Sequence, residues 1–127
     1  MKQVLLLDDN ATQLIIRELV LRKAGIESHA ATSANAALAL LRSSVGQENI
    51  GAVITDHLMP GMDGTQFVRE LRKFAPAMPV IVISGLSEAE DDYRGLDVVF
   101  RTKPFDPEEL IALIQATLSA SGNRATA

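Results

Sequence analysis

The chain has 127 residues, of which 47% are apolar and 22% are charged, as expected for one globular domain with a single core. Its net charge of -4 argues against direct binding to nucleic acid or to an anionic membrane. No cysteine occurs, which excludes disulfides, thiolate metal sites and cysteine nucleophiles.

The first strand pattern lies at residues 4–7, where an apolar run is stopped by Asp8 and Asp9. Four apolar residues are too few for the apolar region of a signal peptide. No later stretch approaches the roughly 18 consecutive apolar residues of a membrane span. We therefore expect a cytoplasmic protein without membrane insertion.

Strand and helix patterns alternate five times along the chain. The predicted strands are residues 4–7, 28–31, 52–55, 80–83 and 98–102. Continuous apolar runs are typical of parallel strands buried on both faces, and helices between them form right-handed crossovers. The pattern predicts an α/β fold, a doubly wound (βα)5 five-stranded parallel sheet with helices on both faces.

The first predicted helix follows the first strand and is capped by Asn10, with Gln13 as its capping-box partner. Ile16, Leu19 and Val20 have the i, i+3, i+4 spacing of a buried stripe. These residues predict an amphipathic helix whose apolar face contacts the sheet.

The later helices carry similar signals. Ser33 is predicted to cap the second helix, and residues 42–49 are interpreted as a loop or a frayed helix. The apolar residues that face the core are Ala37, Leu38 and Leu41 in the second helix and Phe67, Val68 and Leu71 in the third. The segment from Ser87 to Arg94 is acidic and poor in apolar residues, so it gives the weakest helix signal.

The last helix is predicted to have Asp106 as its cap and Pro107 as its first residue. Its buried stripe is Leu110, Leu113 and Ile114. We assign residues 1–120 to one domain and expect residues 121–127 to form a disordered tail. We expect no second domain.

Polar side chains stand where the apolar strands end. Asp8 and Asp9 follow the first strand, Asp56 the third, Ser84 the fourth and Lys103 the fifth. Open α/β sheets bind ligands at the carboxyl ends of their strands, so these residues are expected to share one crevice. Three carboxylates, a hydroxyl and an ammonium suit a divalent cation and a phosphoryl group.

Three carboxylates in one crevice raise at least one pKa unless a cation joins them. Mg²⁺ prefers oxygen ligands and often combines one or two carboxylates with phosphate oxygens. The alternative is that Asp8 is a turn residue and Asp9 only helps to begin a helix, which leaves Asp56 unexplained. Gly85 leaves room for a group to approach the backbone and exposes an N–H to an anion.

These motifs together resemble the receiver domains of two-component response regulators (CheY-like) over roughly residues 2–118. The matching segments are Asp8-Asp9-Asn10, Asp56, the run MPGMDG at 59–64, Ser84-Gly85 and Lys103-Pro104-Phe105. Each motif is weak alone, but all of them occur in order on the predicted strand ends, so the resemblance is specific.

The resemblance implies a signalling protein that is phosphorylated on Asp56 and then controls a protein target. The donor would be a phosphohistidine of a sensor histidine kinase or histidine phosphotransfer protein, or a small phosphodonor. It implies Mg²⁺ as the cofactor, held by Asp9, Asp56 and the backbone carbonyl of Leu58, with Asp8 acting through a water. The chain would catalyse only its own phosphoryl transfer and dephosphorylation, and is otherwise not an enzyme.

The resemblance also implies how the phosphoryl oxygens are held. Lys103 and the Ser84 hydroxyl would each contact one oxygen, and the N–H groups of Leu58 and Gly85 would contact the rest. The Lys103–Pro104 bond is expected to be cis. Inward movement of Ser84 would vacate space into which Phe100 on the fifth strand rotates, by packing alone because phenylalanine has no hydroxyl.

Two departures from the family pattern stand out. Nineteen positions separate Ser84 from Lys103, about one helical turn fewer than in relatives, and the missing turn falls next to a surface that many relatives use for dimers or targets. Leu58 and Leu86 flank the route of a hydrolytic water, so we expect slow self-dephosphorylation. We predict no direct role for His57, and we place Tyr93 in the shortened helix without assigning it a role.

Two other functions remain as alternatives. A Mg²⁺-dependent aspartate-nucleophile phosphatase would need an aspartate two residues after Asp56, where this chain has Leu58. An interaction module that is never phosphorylated would not require Asp9, Asp56, Ser84 and Lys103 together. The sequence identifies neither the kinase, the target, the oligomeric state nor whether the receiver acts alone, in a relay or in a hybrid kinase.

Overall fold

The computed structural model describes the backbone of residues 2–126 and the side chains of residues 2–120. Within them, five parallel strands form one sheet in the order β2-β1-β3-β4-β5. The strands are β1 (Gln3–Leu7), β2 (Ser28–Ala31), β3 (Ile50–Asp56), β4 (Val80–Ser84) and β5 (Val99–Thr102). The predicted parallel α/β fold is confirmed.

Helices cover both faces of the sheet. They are α1 (Ala11–Lys23), α2 (Ala34–Arg42), α3 (Ser44–Asn49), α4 (Gly64–Phe74), a short 3₁₀ helix (Ser87–Tyr93) and α5 (Pro107–Thr126). Helices α1 and α5 enclose one apolar core with the sheet, and α2, α4 and the 3₁₀ helix enclose the other. None of the helices in the described residues has the length and apolar composition needed to cross a bilayer.

The register of the sheet brings the carboxyl ends of the central strands to one edge. Leu7 pairs with Thr55, Asp56 with Ile83, and Ser84 with Thr102. The apolar stretches before these ends are buried on both faces, as expected for the inner strands of a parallel sheet. The polar residues that end or follow the strands therefore lie side by side.

The predicted caps of α1 and α2 form, although the first is only half of a capping box. Asn10 accepts a hydrogen bond from the Gln13 N–H at 3.1 Å, and Ser33 accepts one from the Ala36 N–H at 3.1 Å. The Asn10 N–H donates at 2.9 Å to Asp8 Oδ1, so it does not receive the predicted Gln13 side chain. A complete capping box occurs at α4, between Asp63 and Gln66.

The predicted buried stripe of α1 is wrong. Ile16 and Leu19 are 51% and 48% exposed, and Val20 is only half-buried. The buried apolar residues are Leu14 and Leu21, one heptad apart. The inward position between them is Arg17, because its guanidinium reaches Asp8 at the end of β1.

Residues 42–49 contain a helix, α3, where the sequence suggested a loop or a frayed helix. Ser43 explains the difference. Its hydroxyl donates to the Leu40 carbonyl at the end of α2 and accepts from the Gly46 N–H at the start of α3. Gly46 is buried against the Leu40 backbone, where any side chain would collide.

The two C-terminal helical segments differ in how well they were predicted. The weak segment is a 3₁₀ helix over Ser87–Tyr93, followed by Gly95 and Asp97 with positive φ. In α5, the Asp106 carboxylate accepts from the Glu108 N–H at 2.8 Å, Leu110 and Ile114 are buried, and Leu113 is partly buried. The tail of residues 121–127 was predicted to be disordered, whereas the backbone of α5 continues as a helix through Thr126.

Candidate phosphoryl-acceptor site

The structure brings the three predicted aspartates together at the carboxyl edge of the sheet. Asp8, Asp9 and Asp56 each offer a carboxylate oxygen, and these oxygens lie within 4.8 Å of one another. Asp8 is buried, Asp56 is partly buried and Asp9 is exposed, so the cluster opens toward solvent on one side. Such a group of hard oxygen donors fits a small divalent cation, because each carboxylate otherwise faces like charge.

Asp56 has a hydrogen-bond donor on each carboxylate oxygen. Oδ1 accepts from the backbone N–H of His57 at 2.8 Å, and Oδ2 lies 3.1 Å from Lys103 Nζ. The Lys103–Pro104 peptide bond is cis, as the resemblance implied. Lys103 is held to β4 by its own N–H, which donates to the Ser84 carbonyl at 2.8 Å.

Arg17 is a member of the site that the sequence analysis missed. Its guanidinium lies 3.3 Å from Asp8 Oδ2, and both side chains are largely shielded from solvent. Burial and the nearby charge of Asp56 raise the pKa of Asp8, while the Asn10 N–H, Arg17 and Lys103 act in the opposite direction. The only signal in the sequence was an arginine on the same helical face as Leu14 and Leu21.

Ser84 is buried at the end of β4, and its hydroxyl accepts a hydrogen bond from the Leu86 N–H at 3.0 Å. Gly85 is exposed, and a Cβ at this position would meet no atom within 4 Å, so a ligand has room beside its backbone. Leu58 is 58% exposed, two residues beyond Asp56. Contact of these residues with a phosphoryl group stays a prediction.

A groove of about 530 Å³ opens beside the site. It runs between α1 and the start of α5, and Ile16, Lys103 and Phe105 line it. The exposed apolar residues of α1 continue its apolar surface. A partner seated in the groove would contact Lys103 directly.

A buried aromatic cluster lies behind the acceptor. His57 Nδ1 and the Tyr93 hydroxyl are 2.7 Å apart, and their rings meet edge to face with centroids 5.5 Å apart. The Tyr93 ring also packs on Phe100, with centroids 5.8 Å apart. Phe100 is therefore already buried, so the predicted rotation would start from a ring that is inside the protein.

Burial raises the pKa of Tyr93 to about 12, helped by the charges of Asp63, Asp92 and Asp56 and opposed by the neighbouring Thr65 hydroxyl. The Tyr93 hydroxyl consequently keeps its proton near neutral pH. Thr65 Oγ1 is itself buried and has no hydrogen-bond partner among the described residues. Sequence patterns could not reveal this cluster, because His57 and Tyr93 are 36 residues apart.

We expect Asp8→Asn to stabilise the metal-free protein at neutral pH. The pKa of Asp8 is raised on folding, so the folded state holds the proton more tightly than the unfolded state. Ionisation of Asp8 therefore lowers stability as the pH rises from about 3.8 through the folded-state pKa, and at neutral pH the full cost is present. Denaturant titration in a chelator measures this change.

The same variant should respond less to Mg²⁺. A cation present at about 100 times its dissociation constant raises the unfolding free energy by about 2.7 kcal/mol in the wild-type chain. Glu108→Gln, an exposed carboxylate at the start of α5, is the matched control and should retain the full response. An equal response in Asp8→Asn and wild type would show that Asp8 does not contribute to cation binding.

Comparison with known proteins gives a family and several relatives. The family described as "Response regulator receiver domain" matches residues 4–115. The "Transcriptional regulatory protein PrrA" of Mycobacterium tuberculosis is 35% identical over 127 residues, covering 98% of this chain and 53% of the relative. The chain thus spans about half the length of the curated relatives it matches.

Solved structures agree with this result. A response regulator receiver protein from Sinorhizobium medicae is 33% identical, with a TM-score of 0.79 and coverage of 94% of this chain and 96% of the other. A CheY-like receiver domain protein from Methanospirillum hungatei superposes with a TM-score of 0.84 over 98% of both chains, at 23% identity. The second likeness concerns the fold alone.

Proposed function

The chain belongs to the response regulator receiver domain family, and we propose that it accepts a phosphoryl group on Asp56 in a Mg²⁺-dependent reaction and thereby controls a protein partner. The donor in this proposal is a phosphohistidine on a sensor histidine kinase or a histidine phosphotransfer protein. Receiver domains are signalling domains and not classical enzymes. A cytoplasmic location remains a prediction from the sequence.

The observation that carries the proposal is the pairing of Lys103 Nζ with Asp56 Oδ2 at 3.1 Å inside the acidic cluster. A lysine in this position compensates the carboxylate before transfer and can contact an oxygen of the incoming phosphoryl group. Phosphoryl transfer leaves little covalent chemistry to the protein, so positioning and charge compensation are what the site must supply.

In the proposed transfer, a carboxylate oxygen of Asp56 attacks phosphorus in line with the leaving imidazole. The P–O bond forms as the P–N bond breaks, and the electron pair of the P–N bond returns to the histidine ring. Lys103 neutralises charge on the phosphoryl oxygens, and the exposed backbone at Gly85 leaves room for the group to approach its N–H. Mg²⁺, held by Asp9, Asp56 and the Leu58 carbonyl with Asp8 behind a water, would neutralise further charge.

Ser84 connects the new group to the loop that follows β4. Its hydroxyl now accepts from the Leu86 N–H, and in the proposal it turns to donate to a phosphoryl oxygen. This exchange leaves the Leu86 N–H without its present partner, so the start of the 3₁₀ helix must adjust. In this proposal Phe100 takes part as a packing surface that is already in place.

The apolar surface beside the site suits a docked protein. Five of the six large apolar residues exposed in the described side chains are Ile15, Ile16, Leu19, Leu58 and Leu86, on α1 or just after the ends of β3 and β4. A phosphohistidine can reach Asp56 only if its protein covers this edge of the sheet. We propose that the donor protein docks on α1 and the adjoining groove.

Intact mass after incubation with acetyl phosphate and Mg²⁺ tests the proposed function. We expect wild-type protein to gain the mass of one phosphoryl group, and Asp56→Asn to gain none, because the amide is not a nucleophile. Asp91→Asn, an exposed aspartate on the 3₁₀ helix, is the control and should be phosphorylated like wild type. An adduct on Asp56→Asn, or none on wild type, would contradict the proposal.

Leu58→Asn is expected to accelerate loss of the phosphoryl group by on the order of tenfold, because an amide can orient an attacking water that the apolar side chain cannot. Val45→Asn is the matched control, since Val45 is 54% exposed on α3, which precedes β3 at the opposite edge of the sheet. The measurement is decay of the phosphorylated mass after donor removal. Equal decay rates for Leu58→Asn and wild type would refute the hypothesis.

The phosphatase alternative lacks the group that it needs. In aspartate-nucleophile hydrolases the residue two positions after the nucleophile is a second aspartate, which acts as a general acid. Leu58 occupies this position here, and its side chain carries no proton to donate. We therefore propose no hydrolase activity on external substrates.

A further inference from the structure

We propose that His57 and Tyr93 form a positioning pair that couples the phosphorylation of Asp56 to the position of the 3₁₀ helix Ser87–Tyr93. The inference rests on the proposed phosphorylation of Asp56. It concerns the far end of this helix, whereas Ser84 acts on the near end.

The first step in the coupling is the backbone of His57. Its N–H donates to Asp56 Oδ1 at 2.8 Å, and its carbonyl accepts from the Gly64 N–H at the start of α4, also at 2.8 Å. A hydrogen bond to a carboxylate oxygen is stronger than one to the uncharged acyl oxygen that remains in an aspartyl phosphate. Phosphorylation of Asp56 therefore weakens one of the two backbone bonds that hold His57.

The second step is the side-chain bond. His57 Nδ1 lies 2.7 Å from the Tyr93 hydroxyl, with both residues buried, so a shift of His57 is transmitted to the last residue of the 3₁₀ helix. The bond is intact with either histidine tautomer, since a protonated hydroxyl can donate to Nδ1 or accept from it. Gly64 leaves the space for this hydroxyl, because a Cβ at position 64 would collide with it.

The 3₁₀ helix has few other attachments, which is why one bond matters. Only Ala89 and Tyr93 are buried in it, and its acidic residues are exposed. Its start is held by the Leu86 N–H on Ser84 Oγ, and its end by the Tyr93 side chain, which bonds to His57 and packs on Phe100. Segments with few buried contacts open locally at low free-energy cost, so the two anchors set its position.

The same pocket offers the Tyr93 hydroxyl a second partner. Thr65 Oγ1 is buried without a hydrogen bond among the described residues, and its hydroxyl is near enough to lower the pKa of Tyr93. A buried polar atom without a partner is rare in folded proteins. A small displacement of Tyr93 can therefore exchange His57 for Thr65 without leaving the tyrosine hydroxyl unsatisfied, which gives the helix end two positions.

Amide hydrogen exchange of residues 86–96, with and without acetyl phosphate and Mg²⁺, tests the coupling. The Arg94 and Leu96 amides are the probes of the far end, because they donate to the carbonyls of Asp91 and Tyr93; the Ala89 amide, which donates to the Leu86 carbonyl, reports the near end on which Ser84 acts. We expect phosphorylation to make exchange of the far-end amides about fivefold faster in wild type, the effect of one ordinary hydrogen bond on a local opening equilibrium. In Tyr93→Phe, which keeps the ring, and in His57→Leu, the ratio of the exchange rates with and without phosphorylation should be close to one at these amides.

His57→Asn places a hydrogen-bonding atom near the position of Nδ1 and should restore the ratio. Arg94→Ala is the control within the segment, because it removes only an ion pair that is about 84% exposed, and it should behave like wild type. Tyr93 is the sole tyrosine and the chain has no tryptophan, so tyrosine fluorescence gives a second, independent signal. Its intensity should change on phosphorylation of wild type but not of His57→Leu.

Intact mass is measured on the same samples to separate this proposal from the proposed function. If Tyr93→Phe is phosphorylated to the wild-type level and keeps the wild-type exchange ratio, the coupling is overturned while phosphorylation stands. If exchange in Tyr93→Phe is faster both before and after phosphorylation and the ratio of the two rates equals that of wild type, the coupling is likewise overturned. Tyr93 would then have a structural role only. No adduct on wild-type protein would overturn the proposed function itself.

Discussion

Lys103→Gln is expected to lower the rate of phosphoryl transfer from acetyl phosphate to Asp56 by about 10² to 10³-fold, the usual cost of losing one preorganised donor to developing charge. The ammonium lies 3.1 Å from Asp56 Oδ2 and is 38% exposed, so it can follow the phosphoryl oxygens into the crevice. Glutamine is similar in length but carries no charge. Single-turnover formation of the phosphorylated mass gives the rate.

The same substitution should increase the affinity for Mg²⁺, because Lys103 competes with the cation for the charge of Asp56. These opposite effects distinguish a loss of charge compensation from misfolding, which would reduce both transfer and binding. Lys73→Gln is the matched control, since it removes an exposed lysine that pairs only with Glu70 on α4. A transfer rate within twofold of wild type would contradict the role given to Lys103.

Arg72→Met is expected to lower the free energy of unfolding by about 3 kcal/mol, because several charge-assisted hydrogen bonds are lost together. Its guanidinium donates to four backbone carbonyls at 2.7 to 3.1 Å, those of Ala75, Met78, Leu96 and Asp97. Burial lowers the pKa of Arg72, yet the group stays charged as its bonds require.

Arg72 joins the ends of two loops at the amino edge of the sheet. The carbonyls of Met78 and Asp97 lie just before β4 and β5, so the arginine fixes where both strands begin. Denaturant titration measures the loss, with Lys73→Met as the adjacent exposed control. Arg72→Met should still be phosphorylated at temperatures where it is folded, since the acceptor site is at the opposite edge. A stability within 0.5 kcal/mol of wild type, the range of an ordinary surface substitution, would contradict the assignment.

The predictions that succeeded depended on local patterns. Apolar runs ending in Asp8, Asp56, Ser84 and Lys103 placed these residues at one edge, because parallel strands end on the same side of a sheet. Ser33 and Asp106 were found as caps because a cap is decided within four residues of chain.

The errors occurred where two local patterns compete. On α1, a stripe through Ile16 and Leu19 and a stripe through Leu14 and Leu21 are both consistent with a helical period. The second faces the core because Arg17 on the same side pairs with Asp8, which belongs to β1. The helical period of the sequence does not show which of the two stripes faces the core.

The sequence by itself determined the order of strands and helices, the apolar core strands and the residues that meet at their carboxyl ends, because burial and the topology of parallel sheets act through composition and order. Only the tertiary structure decided that Arg17 turns inward, that the shortened segment is a 3₁₀ helix, and that Tyr93 bonds to His57. These features depend on atoms brought together from distant parts of the chain, where the energy of a hydrogen bond depends on distance in space and not on separation in sequence.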